Sequence, residues 1–300
     1  MKPDQTAYQF DDDMAYFVHW YSVFKPADDD IDSQRATYEA WCHSYTPPMD
    51  EDIDVIDTAT DCGVALRLYR PQRSTPKQGW PWIVYLHGGM WTYGSLDSHE
   101  YITAPLCKDL NAIVVAVDYS LAPEAAYPDA QRDCRAAIAH VLSQAQAWQL
   151  NPQAGVLMGD DAGANLALEL GSDLKQPEIK AVVAINPNLE TDSKRTEHPI
   201  LSQASIRYFW NNYANSNAQL HVPEASDLSE HVPTVFFVPE YDASKTAVEQ
   251  YAQRLQQAKR PVSVIEGPGM VHGCLKAMRI SPAVKHVYHQ LLAACRPYLP

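Results

Sequence analysis

The 300-residue chain is long enough for one large domain or two small ones. Its mix of 46 % hydrophobic and 20 % charged residues excludes disorder as the main state. A formal net charge of −14 repels phosphate backbones and argues against a nucleic-acid partner. No apolar run approaches the ~18 residues of a membrane span. The first residues, MKPDQTAYQFDDDM, lack the basic-then-apolar order of a signal peptide. Cys42, Cys62, Cys107, Cys134, Cys274 and Cys295 are scattered without a C-x-x-C pair, so reduced thiols and a cytoplasmic location are expected.

In chain order, acidic runs at Asp11–Asp13 and Asp28–Asp30 flank Met14, Phe17, Trp20, Tyr21 and Phe24. Those apolar residues recur at helical spacing, which predicts an amphipathic helix laid on another surface. Short apolar runs follow at Val64–Tyr69, Trp82–Leu86, Ala112–Val117, Gly155–Met158, Ala181–Ile185, Thr234–Val238 and Val262–Ile265. Most are continuous rather than alternating, as strands covered on both faces should be. Helical patterns over Ala130–Gln149, Ala162–Leu174, Lys245–Ala258 and Pro282–Ala294 alternate with them. Such alternation predicts a mainly parallel α/β sheet with right-handed crossovers. Two stretches stand outside it: residues 1 to about 46, and about 190–226 with its aromatic cluster. Both are expected to form a lid over the C-terminal edge of the sheet, all within one domain spanning 1–300.

Glycine is scarce, and five of the 12 residues sit in three motifs, with Gly94 shortly after the first. The first is His87-Gly88-Gly89-Met90, directly after a strand. A Gly pair there either makes a plain turn or exposes the backbone N–H groups that an oxyanion hole needs. The second, Gly159-Asp160-Asp161-Ala162-Gly163, lies between a strand and an Ala/Leu-rich helix. It reads as a nucleophile elbow with Asp161 at its centre, or as a helix capped by an aspartate. The third is His272-Gly273, in a loop before the last helix. Asp242 follows the strand Thr234–Val238, so the order is elbow, acid, histidine, as in an α/β-hydrolase triad. His286 and His289 share one face of the last helix, but a third ligand is lacking and no metal is implied. Neither a G-x-G-x-x-G nor a Walker A motif is present, and no cofactor is implied.

With these motifs in place, the sequence resembles the hormone-sensitive-lipase-like family of α/β-hydrolases, which includes bacterial esterases and acetyl esterases. The matching text is HGGMWTYGSLDSHE from His87, VDYSLAPEAAYPDA from Val117, GDDAGANLAL from Gly159, PEYDAS from Pro239 and VHG from Val271. The likeness runs from about residue 40 to the C-terminus. It implies an α/β fold with an eight-stranded, mostly parallel sheet, helices on both faces and a helical lid. It further implies oxyanion-hole N–H groups from Gly88, Gly89 and Ala162, and a general base, His272, oriented by Asp242. Glu240 is nearby, but Asp242 holds the family's position. The expected partner is a small, mostly uncharged ester or similar carbonyl compound, with a homodimer left open. Aromatic walls are expected from Trp91, Tyr93, Tyr208, Phe209 and Trp210, each of which could instead fasten the lid to the body. Met90, in place of the family's third Gly, keeps a backbone donor but narrows the pocket.

The larger departure is Asp161, where the family has its catalytic Ser. A Ser attacks an ester because His removes its proton. An ionised carboxylate attacking the same carbonyl gives an adduct whose better leaving group is that carboxylate, so the adduct reverts. Ordinary acyl turnover should therefore be strongly impaired. Alternatively, Asp161 attacks a saturated carbon of an epoxide or alkyl halide, giving an alkyl ester that His272 hydrolyses with water. A non-hydrolytic enzyme or a ligand-binding pseudoenzyme is the third reading. The elbow position is expected at positive φ, which Asp tolerates, at a helix start that favours negative charge. The Asp161 carboxylate should turn toward the oxyanion-hole N–H groups, toward His272, or bridge both. Two carboxylates flanking His272 should raise its pKa above the reference ~6.5.

Overall fold

A computed structural model of the chain describes residues 8–24, 30–173, 176–189, 198–214 and 228–300. The described strands are β1 (Ile53–Ala59), β2 (Ala65–Pro71), β3 (Trp80–Leu86), β4 (Ile113–Asp118), β5 (Leu150–Asp160), β6 (Ile179–Ile185), β7 (Thr234–Tyr241) and β8 (Val262–Val271). They form one sheet in the order β1-β2-β4-β3-β5-β6-β7-β8. Only the β1–β2 and β2–β4 pairs are antiparallel; from β4 to β8 every neighbour is parallel. The α/β-hydrolase sheet expected from the motifs is thus present.

The sheet separates two apolar layers because alternate strand residues face opposite ways. Trp82, Val84 and Leu86 of β3 point to the side covered by α4 (Asp129–Ser143), α5 (Ala162–Asp173) and α7 (Lys245–Gln257). Ile83 and Tyr85 point to the side covered by α3 (Glu100–Leu110), α8 (Pro282–Cys295), α1 (Asp12–Val23) and α2 (Ile31–His43). All seven β3 residues are buried, and burying each large side chain stabilises the fold by about 1.5–3 kcal/mol. The Trp82 indole N–H, which would be costly to bury alone, donates to the Asn151 carbonyl at 3.0 Å.

Several elements differ from the periodicity reading. β1 is a polar edge strand with mostly exposed residues, among them Asp54 and Asp57, and so carries no apolar run. The helix expected over Ala130–Gln149 ends at Ser143. The chain then turns, with Gln149 at φ 57°, and the Trp80 N–H donates to the Gln149 carbonyl as β5 enters the sheet. α3 carries Pro105 in its interior, which breaks a helix signature. α2 contributes Trp41 and Cys42 to the core. Of the expected lid, residues 1–7, 25–29, 190–197 and 215–226 lie outside the described residues.

The described part of the N-terminal segment is tied to the body. Met14 and Phe17 on α1 are buried. From α2, Arg35 donates to the Thr92 and Ala122 carbonyls at 2.9 and 3.0 Å and forks onto Glu124 at 2.8 and 2.7 Å. The remaining described helix, α6 (Gln203–Ala214), packs on Trp91 through Trp210 and Tyr213.

Candidate active site

β5 ends at Asp160 and α5 begins at Ala162, leaving Asp161 alone at the turn with φ 50°. This sharp elbow depends on Gly163. A Cβ there would collide with the carbonyls of Leu86 and His87 at the end of β3, so only glycine lets α5 start this close to the sheet. The elbow is held by the segment after β6: the Asp161 N–H donates to the Ile185 carbonyl at 3.0 Å, and the Asn188 N–H to the Asp161 carbonyl at 3.2 Å.

The Asp161 side chain turns toward the loop after β3. Its Oδ2 accepts from the Gly89 N–H at 2.9 Å and from the Met90 N–H at 2.6 Å. Its Oδ1 has no hydrogen-bond partner among the described residues and lies 3.6 Å from His272 Nε2. On its other side, His272 Nδ1 lies 2.8 Å from Asp242 Oδ2, whose second oxygen accepts from the Ser244 N–H at 2.8 Å. Asn186 Nδ2 also approaches His272 Nε2, at 3.5 Å. The carboxylate therefore bridges the backbone donors and the imidazole. Glu240 is turned away and accepts from the Gly269 N–H at 2.7 Å.

Burial pushes the Asp161 carboxyl above its ordinary range, although His272 and the N–H groups of Gly89 and Met90 oppose that shift. Burial works against charge on His272, but Asp242, through its charge and hydrogen bond, and Asp161 together hold the imidazolium above the ordinary histidine range.

Gly88 requires a correction. Its N–H donates to Asp160 Oδ1 at 2.9 Å, on the far side of the loop, so it does not face Asp161. The donors that do face it are Gly89 and Met90. Peptide geometry explains the shift: Gly89 at φ 120° and Met90 at φ 54° turn two successive N–H groups inward. Ala162 follows Asp161 at the start of α5, where a first-turn N–H has no intrahelical acceptor.

Asp160 is the centre of a separate buried cluster. It accepts from Tyr85 Oη at 2.8 Å and from Gly88 N, and lies 3.2 Å from His99 Nε2, while Ser98 Oγ lies 2.8 Å from His99 Nδ1. Burial alone would raise its pKa; His99, Lys276 and the Tyr85 hydroxyl outweigh that and hold the carboxyl well below the ordinary range.

A cavity of about 80 Å³ opens beside Asp161 and His272, with walls from Tyr38, Met90, Tyr93, Leu201, Phe209 and Lys276. Tyr21, Tyr38, Trp41, Tyr93, Leu201 and Phe209 continue it into a larger outer groove of about 340 Å³. Met90, Tyr93 and Phe209 thus line the cavity as the sequence suggests. Trp91, Tyr208 and Trp210 do not. Trp91 is fully buried and stacks on Tyr213 with centroids 4.6 Å apart, Trp210 meets its edge at 5.7 Å, and Tyr208 faces outward, half exposed. On an amphipathic helix, neighbouring aromatics point in different directions, so only Phe209 of that cluster reaches the cavity.

The motifs missed Tyr38 and Trp41 on α2, Ile200 and Leu201 ahead of α6, and Lys276. Asn188 was also missed; its Nδ2 lies 3.1 Å from the Met90 sulfur, fixing the side chain that narrows the cavity. The aromatic spacing around Tyr38 and Trp41 was a usable helix signal. Nothing around Lys276 marks it as a wall residue.

The family signature described as the alpha/beta hydrolase fold matches residues 83–276. The chain is 30 % identical to an ethyl acetate hydrolase of Pseudomonas putida over 70 % of this chain and 71 % of that one. It is 29 % identical to a carboxylesterase of Mycobacterium tuberculosis over 80 % of this chain and 79 % of that one. A solved structure from a study of two fungal esterases of Rhizomucor miehei superposes with a TM-score of 0.85 at 26 % identity, covering 96 % of this chain and 97 % of that one. The chain belongs to the α/β-hydrolase fold family. Within it, the protein is an esterase-like hydrolase.

Proposed function

We propose that the site takes a small, uncharged carboxylic ester, or a similar carbonyl compound, and that ordinary acyl turnover on it is impaired by Asp161. The observation that carries this reading is the pair of hydrogen bonds from Gly89 and Met90 to Asp161 Oδ2. In an esterase reaction those N–H groups serve the oxygen of the tetrahedral intermediate. Here a resident carboxylate oxygen already holds them. Although burial opposes it, two carboxylates push the neighbouring imidazole above the ordinary histidine range, which favours its protonated form and works against its acting as a base. The small apolar cavity supports a short acyl group, and the names of the ester-hydrolysing relatives support the bond type. Asp161, His272 and Asp242 form the reactive set, with Gly89 and Met90 as oxyanion donors. Six unpaired cysteines, all but Cys62 buried, favour a reducing cytoplasm.

Hydrolysis of p-nitrophenyl acetate by the protein and by Asp161→Ser tests the proposal. Activity should appear in the Ser form and be near background in the original. Equal or lower activity in the Ser form would overturn it.

A second reading rests on Asp161, which lines the cavity and whose Oδ1 has no hydrogen-bond partner among the described residues. A carboxylate with one oxygen fixed and the other bare is arranged to attack a saturated carbon. Water, activated by His272, would then attack Cγ of the resulting ester, with the new oxyanion on Oδ2 between Gly89 and Met90. An alkylated Asp161 is neutral, so one of the charges that holds the proton on His272 disappears at the step that needs a base.

A further inference from the structure

Lys276 lies in the short helical turn after His272 and is only 3 % exposed. Its Nζ sits over the rings of Trp41, Tyr101 and Tyr38, at 4.9, 5.0 and 5.7 Å from their centroids. Its one hydrogen bond is a long one, 3.5 Å, to Tyr101 Oη. Among the described residues no carboxylate lies within ion-pair distance of it, although its charge acts on the buried Asp160. Aromatic faces stabilise a cation but accept its N–H bonds only weakly. A buried ammonium has three donors, and Lys276 is also one of the residues that line the cavity holding Asp161 and His272. The residues lining the cavity thus include a carboxylate whose Oδ1 has no hydrogen bond among the described residues, with His272 Nε2 at 3.6 Å, and a lysine whose ammonium donors are under-used.

We propose that Lys276 is the proton donor to the leaving oxygen when Asp161 opens a small epoxide, an inference that rests on the second reading above. In the first step, Asp161 Oδ1 bonds to a ring carbon while that carbon's bond to the epoxide oxygen breaks. The oxygen takes the electron pair of the broken bond and a proton from Nζ. The amine is then reprotonated by the His272 imidazolium, directly or through water. The freed imidazole takes a proton from water as the water oxygen attacks Cγ. The tetrahedral adduct collapses with cleavage of Cγ–Oδ1, the departing alkoxide takes the proton from His272, and the acid proton left on Asp161 returns to the imidazole. The sum is epoxide plus water giving a vicinal diol, with the water oxygen left in the Asp161 carboxylate. An alkoxide needs such a donor because it is a poor leaving group; a bromide ion needs no proton. That difference ties the ammonium to epoxides rather than to alkyl halides.

Alkylation of the protein by 1,2-epoxypropane and by 1-bromopropane, followed by intact mass and peptide mapping, tests this. A His272→Gln background retains the adduct. Both reagents should label Asp161. Lys276→Met should slow labelling by the epoxide about 100-fold or more, in the range of a lost general acid, and labelling by the bromide less than about 3-fold. Equal effects on both reagents, or none on either, would overturn the role of Lys276 and leave Asp161 as a nucleophile. No label at Asp161 from either reagent would overturn that reading, and the inference with it. Should Lys276→Met fail to fold, the solvent deuterium isotope effect on labelling of the His272→Gln protein decides. A value above about 2 with the epoxide and near about 1 with the bromide is expected, since only the first step moves a proton; equal values overturn the proposal.

Discussion

Asp160 and Asp161 are adjacent in the chain, equally buried, and each faces a histidine, yet the two carboxyls are driven in opposite directions. Asp160 receives donors on both sides: the Tyr85 hydroxyl and the Gly88 N–H on Oδ1, with His99 beside Oδ2. Its ionised form is held well below the ordinary carboxylate range, with Lys276 adding a further positive charge. Asp161 receives two N–H groups on one oxygen and, among the described residues, no hydrogen bond on the other. Burial outweighs them, and its carboxyl is pushed up. Equal depth therefore does not imply equal charge stability; the placement of donors around the two oxygens decides it. Asp160 is arranged as a fastener of the loop after β3, through Gly88, whereas Asp161 leaves one oxygen without a hydrogen bond among the described residues.

The sharpest way to break this pair apart is Asp161→Ser. The hydroxyl would release the Gly89 and Met90 N–H groups and place a deprotonatable nucleophile beside His272. Hydrolysis of p-nitrophenyl acetate should rise at least ~10³-fold, the scale on which a nucleophile counts. Removing Asp160 should act on stability instead. Asp160→Ala leaves Tyr85, Gly88 and His99 around an empty acceptor site, and urea unfolding should show a loss of about 3–5 kcal/mol. A loss below ~1 kcal/mol would show that Asp160 is not the fastener described.

His99→Gln removes one of the partners of Asp160 and keeps the other two. The expected loss is about 1–3 kcal/mol in the same measurement, smaller than for Asp160→Ala. The smallest effect concerns pH. His272 and Asp161 both bind their protons more tightly in the fold than in the unfolded chain. Each therefore contributes stability that is complete below its ordinary pKa and is lost as pH rises through the higher folded value. For His272 the loss begins near pH ~6.5 and continues above it. Asp161→Asn removes one of the charges that sustain the imidazolium. Unfolding free energies between pH 6 and 9 should then fall less steeply with pH, by up to about 1 kcal/mol across the interval. An unchanged slope would mean that Asp242 alone sustains the charge on His272.

The alternation of apolar runs with helical patterns located the central strands and the helices α4, α5, α7 and α8, because strands covered on both faces must be apolar throughout. β1 escaped because an edge strand with a solvated face reads as polar sequence. The elbow, the acid and the histidine were legible because each sits at the end of a strand beside a glycine or a fixed turn. Which side chains line the cavity was legible only in part: Met90, Tyr93 and Phe209 do, while Trp91, Tyr208 and Trp210 do not. Trp91 and Tyr93 are two residues apart, yet one is sealed in the core against Tyr213 and the other faces the cavity.

What the sequence determined by itself, therefore, was the sheet, the carboxylate at the turn between β5 and α5, and the chain order of Asp161, Asp242 and His272, since local periodicity and tight turns are written in short stretches of chain. Only the tertiary structure decided that Met90 rather than Gly88 joins Gly89 in holding Asp161. It also decided that Asp160 and Asp161 belong to different clusters, and that Lys276 closes the cavity beneath Tyr38, Trp41 and Tyr101. Those outcomes depend on where each peptide N–H and side chain points after distant segments have packed, and the direction of a hydrogen-bond donor in three dimensions has no signature in residue spacing.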